Sequence, residues 1–237
     1  PPEFSLGLFR LADVAGCDVL ASTGWDSSAA VVSFADDPAA VHCRQVQATS
    51  GDTVRVSRSP SNNLQQTVFN KAGVEVCSAG PWTNAVFDCQ LTGTGPWQVI
   101  TFENTYYQQS VPATASFWVN SYASTAGCTA MDLAGWGQPL PFTASRGDDL
   151  NDCVTVTSTA AGRYLLRATQ SNWQWSLQAE VREANGGAVG TLTSSSQSMV
   201  LDVKANHTYK IILTGDTQSR PPEFSLGLFR LADVAGC

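Results

Sequence analysis

The first seventeen residues of the chain, PPEFSLGLFRLADVAGC, recur letter for letter as residues 221–237. Identity over that length does not arise by chance, so the two segments are copies of one element. Pro1 and Pro221 lie 220 residues apart, which sets a long period. The chain therefore reads as one period of a repeating polymer plus an overlap, as the product of a recent gene duplication, or as a designed overlap.

A shorter and more diverged repeat lies inside the long one. Aligning Cys17 with Cys128 places GCDVLASTGW over GCTAMDLAGW, and both read G-C-x6-G-W without a gap. Upstream of them, ATASFWVNSYASTAGC aligns with the repeated PPEFSLGLFRLADVAGC. The cysteines at 17, 128 and 237 then mark a period of about 110 residues, which is the size of one small domain.

The local pattern within each period is that of β-strands separated by turns. DTVRVS and WQVITF alternate apolar and polar residues, RYLLRA and YKIILT are rich in branched and aromatic residues, and SPSNN, TGTGP and EANGG are turn signals. This pattern predicts an all-β chain of two tandem antiparallel β-sandwich domains, jelly-roll or Ig-like and disulfide-stapled, of about 110 residues each. The alternative is one 220-residue barrel, which the duplicated G-C-x6-G-W motif disfavours.

The two repeats together predict the domain boundaries. The first sandwich spans residues 17–126 and the second spans residues 127–237. Since EFSLGLFRLA aligns with TASFWVNSYA, residues 221–231 are expected to be the closing strand of the second sandwich. Residues 1–16 are then the closing strand of a preceding repeat.

Seven cysteines indicate an oxidising compartment if they pair, but the number is odd. Their spacing favours the local pairs Cys17–Cys43, Cys77–Cys89 and Cys128–Cys153, and the alternative is free buried thiols. Cys237 is left over, and as the second copy of Cys17 it would pair with an equivalent of Cys43 further along a longer chain.

Composition argues against several classes of partner and against an enzyme. The net charge of −7 repels phosphate backbones and anionic membrane surfaces, and no apolar run is long enough to insert into a bilayer. Only two histidines, His42 and His207, are present, with no C-x2-C and no G-x-S-x-G motif. We therefore expect no catalytic residues, no cofactor and no metal. The Asp36–Asp37 and Asp148–Asp149 pairs could bind calcium, but turn hydrogen bonding is the favoured explanation.

The order of several segments resembles a known family. A small-residue-rich SGDTVRV strand, an N-x-x-G turn, then LTGTGPWQVI and a closing strand are similar to bacterial pre-peptidase C-terminal (PPC-like) domains. The resemblance covers most of residues 46–122 and 156–231. It implies a non-catalytic β-sandwich of extracellular bacterial proteins, placed beside secreted enzymes or in tandem on the cell surface.

Three tryptophans without an equivalent in the other repeat are candidates for ligand or interface contacts: Trp82, Trp173 and Trp175. Trp173 and Trp175 are expected to alternate along a strand and to share one face. Taken together, the sequence predicts a structural repeat unit of an extracellular or cell-surface fibre or stalk, whose partners are neighbouring repeats. The alternative is a polysaccharide- or surface-binding module of a secreted enzyme or adhesin.

Overall fold

A computed structural model of the chain describes residues 10–11, 15–34, 40–59, 64–80, 86–103, 114–132, 140–143, 151–170, 178–193, 196–214 and 223–231. Within these residues the chain forms eighteen β-strands and no α-helix, so the prediction of an all-β, sandwich-like fold is confirmed. Contacts divide the chain into two compact units, Pro1–Ser124 (unit 1) and Thr125–Cys237 (unit 2). The boundaries at 17–126 and 127–237 as those of independent domains stay a prediction.

Unit 1 contains nine strands arranged in two sheets. One sheet has five strands in the order β1-β3-β8-β5-β6, and the other has four in the order β2-β9-β4-β7. The strands are β1 Asp18–Val19, β2 Ala30–Ser33, β3 Val41–Val46, β4 Thr53–Ser59, β5 Leu64–Phe69, β6 Glu75–Ala79, β7 Val86–Gln90, β8 Trp97–Glu103 and β9 Thr114–Ser121.

Unit 2 repeats this arrangement strand for strand. Its sheets have the orders β10-β12-β17-β14-β15 and β11-β18-β13-β16. The strands are β10 Thr129–Met131, β11 Leu140–Thr143, β12 Asn151–Ser158, β13 Gly162–Gln170, β14 Gln178–Glu183, β15 Ala188–Leu192, β16 Ser198–Val203, β17 His207–Thr214 and β18 Glu223–Arg230. In both units the short first strand pairs in parallel with the third, whereas the other pairs are antiparallel.

The pairing registers fix which residues of the two units are equivalent. Trp97 lies opposite Val46 in unit 1, and Tyr209 lies opposite Val156 in unit 2. Both aromatic residues are about 2% exposed, and each is tied to the backbone: the Trp97 indole N–H donates to the Thr92 carbonyl, and the Tyr209 hydroxyl accepts from the Lys204 N–H. The sequence-level equivalence of Trp97 and Tyr209 therefore corresponds to one structural position in the core.

Each unit has its own hydrophobic core between its two sheets. Alternation along a strand sends every second side chain inward, and burying each branched or aromatic side chain stabilises the fold by about 1.5–3 kcal/mol. The core of unit 1 includes Val46, Val54, Val56, Leu64, Val68, Leu91, Trp97, Val99, Phe117 and Val119. The core of unit 2 includes Val156, Tyr164, Leu166, Val181, Leu192, Leu201, Tyr209, Ile211, Leu226 and Leu228.

The structure contains the three disulfides that the cysteine spacing indicated. Cys17–Cys43 and Cys128–Cys153 join the residue before the first strand of each unit to the third strand, with Cα–Cα distances of 4.7 and 4.6 Å. Cys77–Cys89 joins β6 to β7, which are edge strands of different sheets.

Unit 2 replaces the Cys77–Cys89 disulfide by packing. Gly190 lies opposite Val181 and Leu201 lies opposite Tyr164, which are the positions of Cys77 and Cys89 in unit 1. A Cβ atom at Gly190 would lie 3.2 Å from Leu201 Cδ2 and would overlap the end of Met199. The side chains of Met199 and Leu201 therefore fill the space that the disulfide occupies in unit 1.

Candidate functional site

The repeated sequence forms an interior strand of unit 2. Residues 223–230, identical to residues 3–10, are β18, which pairs with β11 on one side and with β13 on the other. We call this position between β11 and β13 the closing-strand slot of unit 2. Residues 223–230 are thus a strand of unit 2, and the prediction that residues 221–231 complete a second sandwich domain stays a prediction.

The centre of β18 buries apolar side chains on both of its faces. Leu226 and Leu228 point into the core and are 0% and 2% exposed, whereas Phe229 lies on the other face and is 6% exposed. A Cβ atom at Gly227 would come within 2.5 Å of the Phe229 ring, so glycine leaves room for that ring to lie against the strand. Removing β18 would expose the side chains that pack against its two faces. It would also leave the backbone hydrogen-bonding groups of β11 and β13 that face it unpaired.

The equivalent slot of unit 1 is already filled. β9 lies between β2 and β4, with Phe117 and Val119 directed into the core. Phe117 lies opposite Arg58 as Leu226 lies opposite Ala168, so β9 and β18 occupy the same place in the two units. Residues 1–9 lie outside the described residues, and the prediction that they close a preceding repeat stays a prediction.

The chain enters and leaves each unit at opposite ends. β1 runs parallel to β3, so the chain reaches β1 from the end at which β3 begins. β9 finishes beside the start of β4, where the Tyr122 N–H donates to the Thr53 carbonyl, and this is the end at which β3 finishes. β10, β12, β13 and β18 repeat these directions in unit 2.

Matching turns lead into both units. Gly16 and Gly127 have φ values of 91° and 79°, a backbone conformation that glycine adopts without a steric penalty. Each glycine stands directly before the disulfide cysteine, Cys17 or Cys128, of the unit that follows. The turn and the disulfide therefore occur together in both units, and they fix the start of the first strand beside the third strand.

The end of β9 is held by the segment that connects β1 to β2. The indole N–H of Trp25 donates to the Ser124 carbonyl over 3.1 Å, and the Asn120 amide donates to the Gly24 carbonyl over 2.8 Å. The Trp25 ring also meets the Tyr122 ring edge to face at 5.6 Å. Because Trp25 is only 4% exposed, these contacts are part of the folded body of unit 1 and fix the path of the outgoing chain.

Sequence reasoning missed a group of buried polar side chains inside unit 1. They lie at inward positions of strands β4, β5 and β8 and are at most 8% exposed: Arg58 (0%), Gln66 (0%), Thr101 (1%) and Glu103 (8%). We call these four residues the inner polar cluster. They continue the alternation of the core residues Val54 and Val56 on β4, and of Trp97 and Val99 on β8.

Hydrogen bonds satisfy part of this cluster. Arg58 donates to the Gly80 carbonyl over 2.7 Å, and the Gln66 amide donates to the Thr101 hydroxyl over 3.3 Å. Among the described residues, Gln66 Oε1 and both carboxylate oxygens of Glu103 are buried without a hydrogen-bond partner. Burial raises the pKa of Glu103 to about 7 and lowers the pKa of Arg58 to about 10.

Unit 2 has no such cluster at the same positions. The residues equivalent to Arg58, Gln66 and Thr101 are Ala168, Ala179 and Leu213, all buried in the apolar core. Two residues after Leu213, where unit 1 has Glu103, the sequence has Gly215. The signal that the sequence offers for the cluster is Arg58, which continues the alternation of Val54 and Val56; the pairing of Gln66 with Thr101 is visible only in the structure.

The two histidines take part in local packing. His42 Nε2 lies 2.9 Å from the Ser33 carbonyl and its ring packs against Phe34, while the His207 ring packs against Tyr209 at 4.8 Å. No group of three or more metal-ligating side chains occurs in the part of the chain that the structure describes. No helix in that part is long and apolar enough to cross a membrane.

Several residues singled out from sequence lie outside the described residues. They are Trp82, Trp173 and Trp175, the two Asp pairs at 36–37 and 148–149, and Cys237. Their roles in ligand binding, turn formation or pairing stay predictions. Of the tryptophans that the structure describes, Trp25, Trp97 and Trp118 are all buried.

No family model and no curated protein matches the chain. Among solved structures, a protein of Eubacterium rectale described as secreted is similar at 10% identity, with 90% of this chain and 77% of that one covered and a TM-score of 0.29. The M60 catalytic domain with the CBM51-1 and CBM51-2 domains of Clostridium perfringens ZmpB shares 9% identity over 85% of this chain and 34% of its own, with a TM-score of 0.28. The CUB1-EGF-CUB2 region of human MASP-1/3 shares 8% identity over 85% of this chain and all of its own, with a TM-score of 0.25. Similarity at this level does not assign the chain to a family.

Proposed function

We propose that the chain is a repeat unit of an extracellular or cell-surface fibre or stalk, with no catalytic activity of its own. The observation that carries this proposal is the position of the repeated sequence. Residues 223–230 are an interior strand that completes unit 2, and the equivalent slot of unit 1 is filled by β9. The identical residues 3–10 are then the closing strand of another repeat.

The direction of the chain within each unit supports an extended assembly. A unit that takes the chain in at one end and releases it at the other can be joined to further copies without a long return connection. Repeat proteins grow in this way because each repeat chiefly contacts its neighbours. The shared Gly-Cys turn and disulfide would then set the same junction at every repeat.

The disulfides support a location outside the cytoplasm. Three of them fasten the described strands, and such bonds persist in oxidising surroundings. A disulfide that closes a loop of this size stabilises the fold by about 3 kcal/mol through its effect on the unfolded chain. Stable junctions of this kind suit a fibre that must stay folded without cellular chaperones.

The proposal that the protein is not an enzyme is supported by how its histidines are used. His42 binds a backbone carbonyl and His207 packs on a buried tyrosine, so both rings serve local structure. The resemblance to PPC-like domains points the same way and forms part of this proposal.

The intact mass of the native material, measured under denaturing and non-reducing conditions, tests the proposal. We expect a mass equal to several 220-residue periods, because covalent tandem repeats survive denaturation. A mass that corresponds to a single period would contradict a covalent tandem array.

Polysaccharide binding is the second candidate, and it depends on Trp82, Trp173 and Trp175. Strands β13 and β14 flank the sequence that contains Trp173 and Trp175, and strands β6 and β7 flank that of Trp82. A pull-down with insoluble polysaccharides tests this candidate. Binding that Trp173→Ala abolishes and that the buried-core variant Val99→Ala retains would favour it over the fibre.

A further inference from the structure

The closing-strand slot of unit 2 recognises an amino-acid sequence that the chain carries twice. All contacts made by β18 come from residues 223–230, and residues 3–10 have the same eight side chains in the same order. Leu6 and Leu8 match the buried Leu226 and Leu228, and Gly7 matches Gly227. The slot therefore cannot distinguish the two copies by contact energy.

What distinguishes the copies is connectivity. β18 is joined to the body of its own unit, so it competes for the slot at an effective concentration on the order of millimolar. A copy of the sequence on a second molecule competes only at its bulk concentration. At micromolar protein, the slot is accordingly closed by its own β18.

We infer that the slot, once its own β18 has left it, is a strand-acceptor site whose partner is the 3–10 segment of a second copy of this chain. The inference rests on the proposed function, and it names how separate chains can be joined into the fibre. The donated strand would lie between β11 and β13, antiparallel to both, with Leu6 and Leu8 in the core. Addition of a strand in trans uses the same backbone hydrogen bonds and side-chain pockets as the strand it replaces.

Such a contact is head-to-tail, because the donating segment and the accepting slot are different parts of the chain. Each molecule that accepts a strand in unit 2 still carries its own copy of the donating sequence. Contacts of this type generate open chains unless the rotation between successive molecules closes a ring. The assembly therefore propagates in one direction.

Two deletions of the same eleven residues test the inference. One variant lacks residues 221–231 and the other lacks residues 1–11, so both lose PPEFSLGLFRL and have equal composition. Light scattering coupled to size-exclusion chromatography at rising concentration measures their masses. We expect the variant without 221–231 to form concentration-dependent head-to-tail multimers, and the variant without 1–11 to stay monomeric.

Further measurements keep the test decisive if the first variant folds poorly by itself. A synthetic peptide with the sequence of residues 221–231, added in tenfold excess during refolding, should fill the slot and return the multimers to monomers. Leu6→Asp in the variant without 221–231 should abolish multimers, since its equivalent Leu226 is 0% exposed. Ser5→Asp should retain them, because Ser225 lies on the other face of β18.

Several results would overturn the inference. They are a monomer at all concentrations for the variant without 221–231, multimers that persist in excess peptide, and equal effects of Leu6→Asp and Ser5→Asp. These outcomes are independent of the native mass. If the native mass is that of a single period but the deletion variant forms multimers, only the covalent array is contradicted. If the native mass is that of several periods but the deletion variant stays monomeric, only the strand-acceptor site is contradicted.

Discussion

Units 1 and 2 have the same nine strands in the same order, yet unit 1 has two interior features that unit 2 lacks. Unit 1 carries the Cys77–Cys89 disulfide where unit 2 has Gly190 and Leu201, and it carries the inner polar cluster where unit 2 has Ala168, Ala179 and Leu213. The fold therefore requires neither feature. What both units share, the Gly-Cys turn, the disulfide to the third strand and the interior closing strand, is what the architecture needs.

The largest expected difference between the units concerns the Cys77–Cys89 disulfide. It closes a loop with a sequence separation of 12, so Cys77→Ala with Cys89→Ala should lower the free energy of unfolding of unit 1 by about 3 kcal/mol. Unit 2 fills the same space with Met199 and Leu201 and should be unaffected. Hydrogen exchange measured separately on strands of the two units would show this.

The reciprocal change in unit 2 is the control for that comparison. Gly190→Ala places a methyl group against Met199, a flexible and half-buried side chain, so the loss of stability should stay below about 1 kcal/mol. Equal destabilisation of both units by the cysteine variant would show that unit 2 depends on unit 1, and that the comparison is not one between independent bodies.

The next difference is a dependence on pH that only unit 1 should show. The ordinary pKa of Glu103 is 4.5, and burial raises it to about 7 in the folded protein. Between these values the unfolded chain releases the proton while the folded chain keeps it, so stability falls as the pH rises. The loss reaches up to about 3 kcal/mol and saturates above pH 7.

Urea unfolding of unit 1 at a series of pH values measures this loss, with Glu103→Gln as the control. The variant keeps the shape of the side chain and should remove the difference between pH 4.5 and 7. Lys210, a buried amine of unit 2, has its pKa lowered to about 8 by burial and so stays protonated across that range. Identical pH profiles for the variant and the parent protein would contradict the buried position of the Glu103 carboxyl.

The smallest expected difference concerns Gln66 and Thr101, which bond each other inside unit 1. Replacing both by apolar residues of similar shape, Gln66→Leu with Thr101→Val, brings unit 1 closer to unit 2. It also removes the buried, unpartnered Oε1 of Gln66. We expect a gain of about 1 kcal/mol in the free energy of unfolding, because leaving a buried polar atom unpaired costs more than losing the pair.

Single substitutions provide the check on that result. Gln66→Leu alone should gain less than the double variant, since it leaves the Thr101 hydroxyl without its donor. A double variant that is several kcal/mol less stable than the parent protein would mean that the cluster is held by contacts stronger than the single hydrogen bond between these side chains.

The sequence predicted much of this architecture because its repeats encode strand order directly. The alignment of Cys17 with Cys128, and of EFSLGLFRLA with TASFWVNSYA, led to the equivalent disulfides and to β9 and β18 as matching strands. Period-two alternation in DTVRVS placed Val54 and Val56 on one face, and the structure buries both.

The inner polar cluster could not be anticipated in the same way. Arg58 continues the alternation of Val54 and Val56 along β4, but a polar side chain on a strand is ordinarily assigned to solvent. Only the pairing register brings Gln66 opposite Thr101. Which sheet a strand joins depends on long-range pairing, and that information is not local to any one segment.

Electron microscopy of the native material tests the central claim most directly, because the claim is that the chain is one repeat unit of a fibre. The account predicts filaments built from repeated two-unit segments. Discrete globular particles, each containing a single 220-residue period, would contradict it.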